Sequence, residues 1–123
     1  MASLVDEQAN EKRGVFNPCV VDLVSWDAER EEVVLTLLEE RPWESEPEQL
    51  RQLEDKFNAY LAYVLDGHMV QQYPHYENKD ICFQLDCAES PRGDVENMLR
   101  SMQNFAANEG VRLVVQVIQG TAH

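Results

Sequence analysis

The chain has 123 residues, 44% of them hydrophobic, which supplies enough apolar material for the core of one ordinary domain. Ten Lys and Arg residues against 23 Asp and Glu residues give a formal net charge of -13 and a pI near 4.4. Such a surface repels phosphate backbones and anionic lipids, which argues against nucleic-acid and membrane binding and leaves open a basic protein partner, a cation or a solubilising role.

The two ends of the chain lack the patterns of folded elements. Residues 1–17 are polar and show no periodicity, which predicts a flexible N-terminal segment, a single domain over residues 18–119 and a tail over residues 120–123. No apolar run near the start has signal-peptide length, and no segment reaches transmembrane length. There are three cysteines, and Cys82 and Cys87 fall on opposite faces of one predicted strand, which disfavours a bridge. We therefore expect reduced thiols and a cytoplasmic location.

Four apolar runs predict four β-strands. The first two, CVVDLVSW from Cys19 and EVVLTLLEE from Glu32, are separated by a short polar connection, as in a β-hairpin. In the third run, DICFQLDC from Asp80, apolar and more polar residues alternate with a period of two. The last run, VRLVVQVI from Val111, is predicted as a strand on the same grounds.

Two amphipathic helices are predicted between these strands. Ser45 and Glu48 have the spacing of a capping box, Pro47 suits a first turn, and Gly67 suits the stop. The apolar stripe of this first helix is Leu50, Leu53, Phe57, Leu61 and Val64. A Ser90-Pro91 step opens the second helix. Its stripe is Val95, Met98, Leu99, Met102, Phe105 and Ala106, and Gly110 closes it.

The resulting order, ββαβαβ, predicts a single-domain α+β fold with a four-stranded mixed sheet. Right-handed crossovers that advance in one direction place both helices on one face, with strand order 1-2-3-4 and the first strand antiparallel to the others. The far face would carry Val24, Trp26, Val34, Thr36, Leu38, Cys82, Gln84, Asp86, Val114, Gln116 and Ile118. That face is too apolar for water, so we expect the N-terminal segment, a second copy or another protein to cover it. The candidate interface consists of Trp26, Val34, Thr36, Leu38, Gln84, Val114, Gln116 and Ile118.

A strongly acidic stretch runs from residue 27 to residue 55. It holds eleven Asp and Glu and three Arg, and so has a net charge of -8. An acid–base pair would need carboxyl groups that converge in a cleft, whereas Glu39, Glu40, Glu44 and Glu46 follow a strand end and loop. A solvated acidic rim is the favoured interpretation, ahead of a docking surface for a basic partner and of catalysis.

The segment Tyr73-Pro74-His75-Tyr76 is the best candidate for recognition. Together with Trp43 and Tyr63 it would form an aromatic lip, because Trp and Tyr are favoured anchors of interfaces. Packing of these rings over the end of the core is the favoured alternative.

The sequence offers no motif for a metal, a cofactor or a nucleophile. His68, His75 and Cys82 are seven residues apart, which does not match the close ligand pairs of zinc sites. Phosphate-binding, dinucleotide-binding and serine-nucleophile motifs are missing as well. We therefore predict neither catalytic residues nor a cofactor.

The pattern VVLT…PW…NAYL…DG…YP resembles an uncharacterised family of small bacterial proteins, a domain of unknown function. The residues that carry the likeness are Val33, Thr36, Trp43, Leu50, Leu53, Lys56, Asn58, Tyr60, Gly67, Tyr73 and Pro74, within a span of about residues 20 to 118. The resemblance implies a bacterial origin and a compact α+β domain, and brings no known activity. Lys56 and Asn58 are expected on the exposed side of the first helix.

Three functions follow from these features. The leading hypothesis is a non-enzymatic cytoplasmic protein-interaction domain, immunity- or inhibitor-like, with a basic partner. The second is a homodimer that buries the far face of the sheet. The third is a small-ligand binder or enzyme at an end formed by Trp43, Tyr73 and His75.

Overall fold

A computed structural model of the chain describes residues 14, 15, 17, 20–44 and 47–118. The elements in chain order are β1 (Leu23–Asp27), β2 (Glu32–Glu39), α1 (Pro47–Leu65), α2 (His68–Gln72), a 3-10 turn (Pro74–Tyr76), β3 (Asp80–Cys87), α3 (Asp94–Asn108) and β4 (Val111–Val117). Within this part of the chain, no helix combines the length and the apolar character needed to cross a membrane.

The four strands form one mixed sheet in the order β1-β2-β3-β4. β1 is antiparallel to β2, and β2, β3 and β4 run parallel. Across the three parallel strands Leu35, Phe83 and Leu113 lie side by side. The predicted α+β fold, with its strand order and its antiparallel first strand, is confirmed.

Both long helices pack on one face of the sheet. The ring of Phe83 lies at the centre of that face, 6.0 Å from the ring of Phe57 and 5.6 Å from the ring of Tyr60, both on α1. α3 contributes Val95, Leu99, Met102 and Ala106 to the same core. The periodic stripes of the two helices therefore face the sheet as predicted.

The helix boundaries differ in part from the prediction. α3 begins at Asp94 and not at Pro91, because Gly93 takes a positive φ of 61° that is incompatible with a right-handed helix. The segment after α1, expected to lack regular structure, folds into α2 and the 3-10 turn. Ser45, the expected cap residue of α1, lies outside the described residues.

The register of β1 corrects one expectation about the faces of the sheet. Val24 lies opposite Leu35 and Trp26 lies opposite Val33, and directly paired residues of antiparallel strands share a face. Val24 and Trp26 therefore lie on the helix-bearing face, and their placement on the far face was wrong. The reason is the hairpin turn over residues 28–31, whose length sets the register and brings even-numbered residues of β1 opposite odd-numbered residues of β2.

The far face is more polar than expected, and part of it is buried within the chain. Thr36 and Cys82 at its centre are buried within the chain. At one end the Glu32 carboxylate accepts two hydrogen bonds from the Arg112 guanidinium, at 2.7 and 3.0 Å. Of the other predicted interface residues, Val34 is buried, Leu38, Gln84, Val114 and Ile118 are half-buried, and Gln116 is exposed. The interface role of this face stays a prediction.

The Glu32–Arg112 pair should make stability depend on pH. The hydrogen bond from Arg112 holds the pKa of Glu32 below its ordinary value of 4.5, although burial opposes this shift. A carboxyl group whose pKa is lowered by folding stabilises the folded state above its unfolded pKa, and this contribution is lost as the pH falls through the folded pKa. We expect Arg112→Gln to lower the free energy of unfolding near neutral pH by about 1 kcal/mol, since water screens the half-exposed guanidinium.

Urea denaturation near neutral pH and well below pH 4.5 measures this effect. The difference between wild type and Arg112→Gln should shrink in acid, where Glu32 becomes protonated in both proteins. An equal difference at both pH values would show that Arg112 contributes through packing rather than through its charge.

Candidate functional site

A buried lysine on α1 holds the segment that precedes β1. The Lys56 ammonium donates hydrogen bonds to the carbonyl oxygens of Gly14 at 2.9 Å, Asn17 at 2.6 Å and Val20 at 2.7 Å, and to Asp22 Oδ1 at 3.0 Å. The side chains of Lys56 and Asp22 are both 0% exposed. Through these contacts Lys56 ties Gly14, Asn17 and Val20 to α1.

Asp22 and Tyr60 extend this network to the sheet. Asp22 immediately precedes β1, and its Oδ2 accepts the backbone N–H of Leu38 on β2 at 2.9 Å. The Tyr60 hydroxyl accepts the N–H of Asp22 at 2.8 Å and donates to the carbonyl of Thr36 at 2.6 Å. Burial and the nearby Asp22 carboxylate raise the pKa of Tyr60, which keeps the hydroxyl protonated as a donor.

This network is structural, because solvent does not reach its charged groups. The expectation that Lys56 is exposed was wrong, whereas Asn58 is exposed as expected. The sequence did contain a signal. Lys56 lies three residues after Leu53 on the apolar stripe of α1, and Asp22 interrupts the apolar run CVVDLVSW, so two opposite charges occur at core positions.

The described acidic residues at the end of β2 and in the loop that follows differ in their exposure. Glu39 is 1% exposed; its carboxylate accepts hydrogen bonds from the Arg41 guanidinium at 2.6 and 2.8 Å and from the Gln49 amide at 3.3 Å. Glu40 and Glu44 are exposed. Glu39 is therefore a buried structural carboxylate and not part of an acidic rim.

The Trp43 side chain is also buried in the core. It is 5% exposed, and its indole N–H donates to the carbonyl of Glu89 at 2.8 Å. Glu46, the remaining acidic candidate, lies outside the described residues. Of the residues predicted as a partner surface in this stretch, only Glu40 and Glu44 are seen to face solvent.

Two of the cysteines, Cys82 and Cys87, are unpaired and buried. Burial raises the pKa of both thiols, so they stay protonated and poorly nucleophilic at neutral pH. Cys19 lies outside the described residues. Where side chains are described, no three His, Cys, Asp or Glu residues come together as a group able to hold a metal ion.

The aromatic segment before β3 forms a cluster with Trp26, a residue predicted to lie on the far face of the sheet. Tyr76 stacks on Trp26, with ring centroids 5.9 Å apart and planes 14° apart. The His75 ring lies 4.3 Å from the Tyr76 ring, and the Tyr73 ring lies 5.6 Å from it. Trp26 is 40% exposed, His75 is exposed, and Tyr73 and Tyr76 are half-buried. We call these four residues the aromatic cluster.

Trp43 does not belong to this cluster. Its partner Glu89 follows the end of β3, whereas Tyr73 and Tyr76 precede the start of the same strand. β3 spans eight residues, and at roughly 3.3 Å per residue the two ends lie on the order of 20 Å apart. The predicted small-ligand site made of Trp43, Tyr73 and His75 is therefore not formed.

Charged residues surround the aromatic cluster. Lys79 places its ammonium 5.9 Å from the centroid of the Trp26 ring. The acidic residues of the neighbouring turns and strand ends are Asp27, Glu29, Glu31, Glu32, Glu77 and Asp80. The only basic residues in these same turns and strand ends are Arg30 and Lys79, so the surroundings of the cluster are acidic.

A second open surface lies between α1 and α3. A groove of about 380 Å³ is lined by Glu54, Phe57, Asn58, Met98, Ser101, Met102 and Phe105. Glu54 is the sole titratable side chain among these lining residues. This groove accordingly offers apolar contact and no acid–base pair.

Comparisons with known proteins identify a family and nothing closer. The model of a family of unknown function, DUF6572, matches residues 14–119. No curated protein and no solved structure matches the chain.

Proposed function

Since the chain belongs to DUF6572, a family of unknown function, its role has to be inferred from its own surface, and we propose that it is a protein-interaction domain that binds a basic segment of a partner through the aromatic cluster. The observation that carries the proposal is the exposure of Trp26, 40%, in a ring that is nevertheless fixed by stacking on Tyr76.

The geometry of the cluster favours recognition because its rings are already ordered. Trp26, Tyr76 and His75 contact one another in sequence along the surface, so few rotamers remain to be frozen when a partner binds. Preorganised aromatic side chains offer large contact area at low entropic cost, and Trp and Tyr are enriched among residues that dominate binding energy.

The charge of the chain indicates the chemistry of the partner. A formal net charge of -13 attracts and orients a basic partner over distances of about one Debye length, roughly 8 Å at physiological salt. The exposed face of an indole attracts Arg and Lys side chains by cation–π interaction. Lys79, 5.9 Å from the Trp26 ring, already makes such an interaction within the chain.

Substitutions at Trp26 and Lys79 test the proposal because they should act in opposite directions. Trp26→Ala should weaken binding of short fluorescent Arg-rich peptides by about 2 kcal/mol or more, which is roughly thirtyfold in Kd. Lys79→Ala should strengthen binding, since it removes a competing cation from the ring and a positive charge from the surface. Leu65→Ala removes a comparably exposed apolar side chain from α1 and serves as the matched control.

Fluorescence anisotropy at low and moderate salt measures these affinities. We expect Arg-rich peptides to bind, acidic peptides of the same length to fail, and added salt to weaken binding. If Trp26→Ala and Leu65→Ala bound Arg-rich peptides as wild type does, the aromatic cluster would not be the recognition surface.

Inhibition of a basic toxin or nuclease in the bacterial cytoplasm is the specific role that we propose within this class. Acidic surfaces steer such partners and set their orientation. The buried, unpaired thiols of Cys82 and Cys87 support a reducing compartment.

A further inference from the structure

The outer edge of β4 has an open row of backbone hydrogen-bonding groups. The N–H of Ile118 donates to the carbonyl of Cys87 at 2.8 Å, and in a parallel ladder this places the polar groups of even-numbered residues of β4 toward β3. The polar groups of Val111, Leu113, Val115 and Val117 therefore point to the open edge. Among the described residues, Gln103 contacts this edge, where its side-chain amide donates to the carbonyl of Leu113 at 3.2 Å.

This edge lacks the features that normally protect a strand from pairing. β4 has seven residues, with no proline and no carboxylate, and Arg112, its one charged side chain, is held by Glu32. β1, at the other edge of the sheet, has five residues and ends in Asp27, beside a charged turn. Long apolar edges without prolines or charges are the ones that accept another strand.

We infer that β4 pairs antiparallel with β4 of a second copy of this chain, which joins two four-stranded sheets into one of eight strands. A two-fold axis through Val114 is the arrangement that pairs all seven residues of the strand. The residues with outward polar groups then face one another, Val111 opposite the partner's Val117 and Leu113 opposite the partner's Val115. This matches the antiparallel rule that one set of pairs exchanges both hydrogen bonds.

The edge fits a second copy because its side chains are complementary to themselves. In this register Val114 meets the partner's Val114, and Arg112 meets the partner's Gln116, so no like charges lie opposite each other. A hollow of about 260 Å³ lies beside β4 and is lined by Pro91, Glu96, Leu99, Arg100, Gln103 and Val115. This lining contains one acidic and one basic residue. The edge is thus close to neutral in a chain whose net charge is -13, and self-association meets the least repulsion there.

Sedimentation over a concentration series tests the dimer, with charge variants at its axis. Wild type should reach twice the chain mass of 14.2 kDa, whereas Val114→Lys and Val114→Glu should each raise the dissociation constant at least tenfold. An equimolar mixture of the two variants should recover the dimer, because Lys then lies opposite Glu. Ser25→Lys, a substitution on the exposed edge strand β1, and Trp26→Ala should both leave the mass unchanged.

Amide hydrogen exchange of wild type provides the second measurement. The N–H groups of Val111, Leu113, Val115 and Val117 should become protected as the concentration rises, while those of Arg112, Val114 and Gln116 stay protected throughout by β3. A monomeric mass over the whole series, or a dimer that Val114→Lys does not weaken, would overturn the inference. So would a mixture of the two variants that fails to dimerise while each remains folded.

Discussion

Replacing Lys56 with methionine is expected to lower the free energy of unfolding by about 3–5 kcal/mol, the cost of breaking a buried ion pair by removing one partner. The variant leaves the Asp22 carboxylate buried without its counter-ion. It also leaves the carbonyl groups of Gly14, Asn17 and Val20 without this donor. Such a loss is a large part of the total of about 5–15 kcal/mol that stabilises a domain.

Urea unfolding followed by circular dichroism measures this effect. Lys79→Met makes the same chemical change at an exposed position and should cost no more than about 1 kcal/mol, the value of an exposed cation–π interaction. Equal midpoints for Lys56→Met and Lys79→Met would contradict the network described around Lys56, since a solvated lysine on α1 would then explain the data.

Phe83→Ala is expected to cost about 3–5 kcal/mol, because it removes the ring at the centre of the core and leaves a cavity there. Phe83 is fully buried on β3, and its ring makes T-shaped contacts with the rings of Phe57 and Tyr60. A single substitution thus loosens the contact between α1 and the sheet.

Thermal or urea denaturation measures this loss, and Phe105→Ala provides its matched control. The Phe105 side chain is half exposed on α3, so its truncation should cost less than about 1 kcal/mol. A smaller loss for Phe83→Ala than for Phe105→Ala would mean that the packing of α1 and α3 on the sheet is wrongly described.

The sequence predicted the overall fold because periodicity and burial agree along most of the chain. The stripe that includes Leu53, Phe57 and Leu61 faces the sheet. In DICFQLDC the burial alternates from Phe83 to Cys87 as predicted, although Cys82 is buried as well. Two right-handed crossovers that advance in one direction predict the strand order 1-2-3-4. The structure has this order.

The site could be predicted only in part, because long-range register and pairing decide it. Tyr73, His75 and Tyr76 stood out by composition. Trp26 joins them because the turn over residues 28–31 sets the register of β1, and periodicity within one strand does not reveal that register. Acidity along the chain likewise did not show that Glu39 would be buried by Arg41, which follows two residues later.

The two tryptophans permit the most direct test of the proposed recognition surface. The chain has two indole N–H groups, one on exposed Trp26 and one on buried Trp43, and each gives its own signal in a proton–nitrogen correlation spectrum. We predict that titration with an Arg-rich peptide shifts the Trp26 indole signal progressively while the Trp43 signal stays in place. An unmoved Trp26 signal at saturating peptide, or a shift confined to Trp43, would contradict the account.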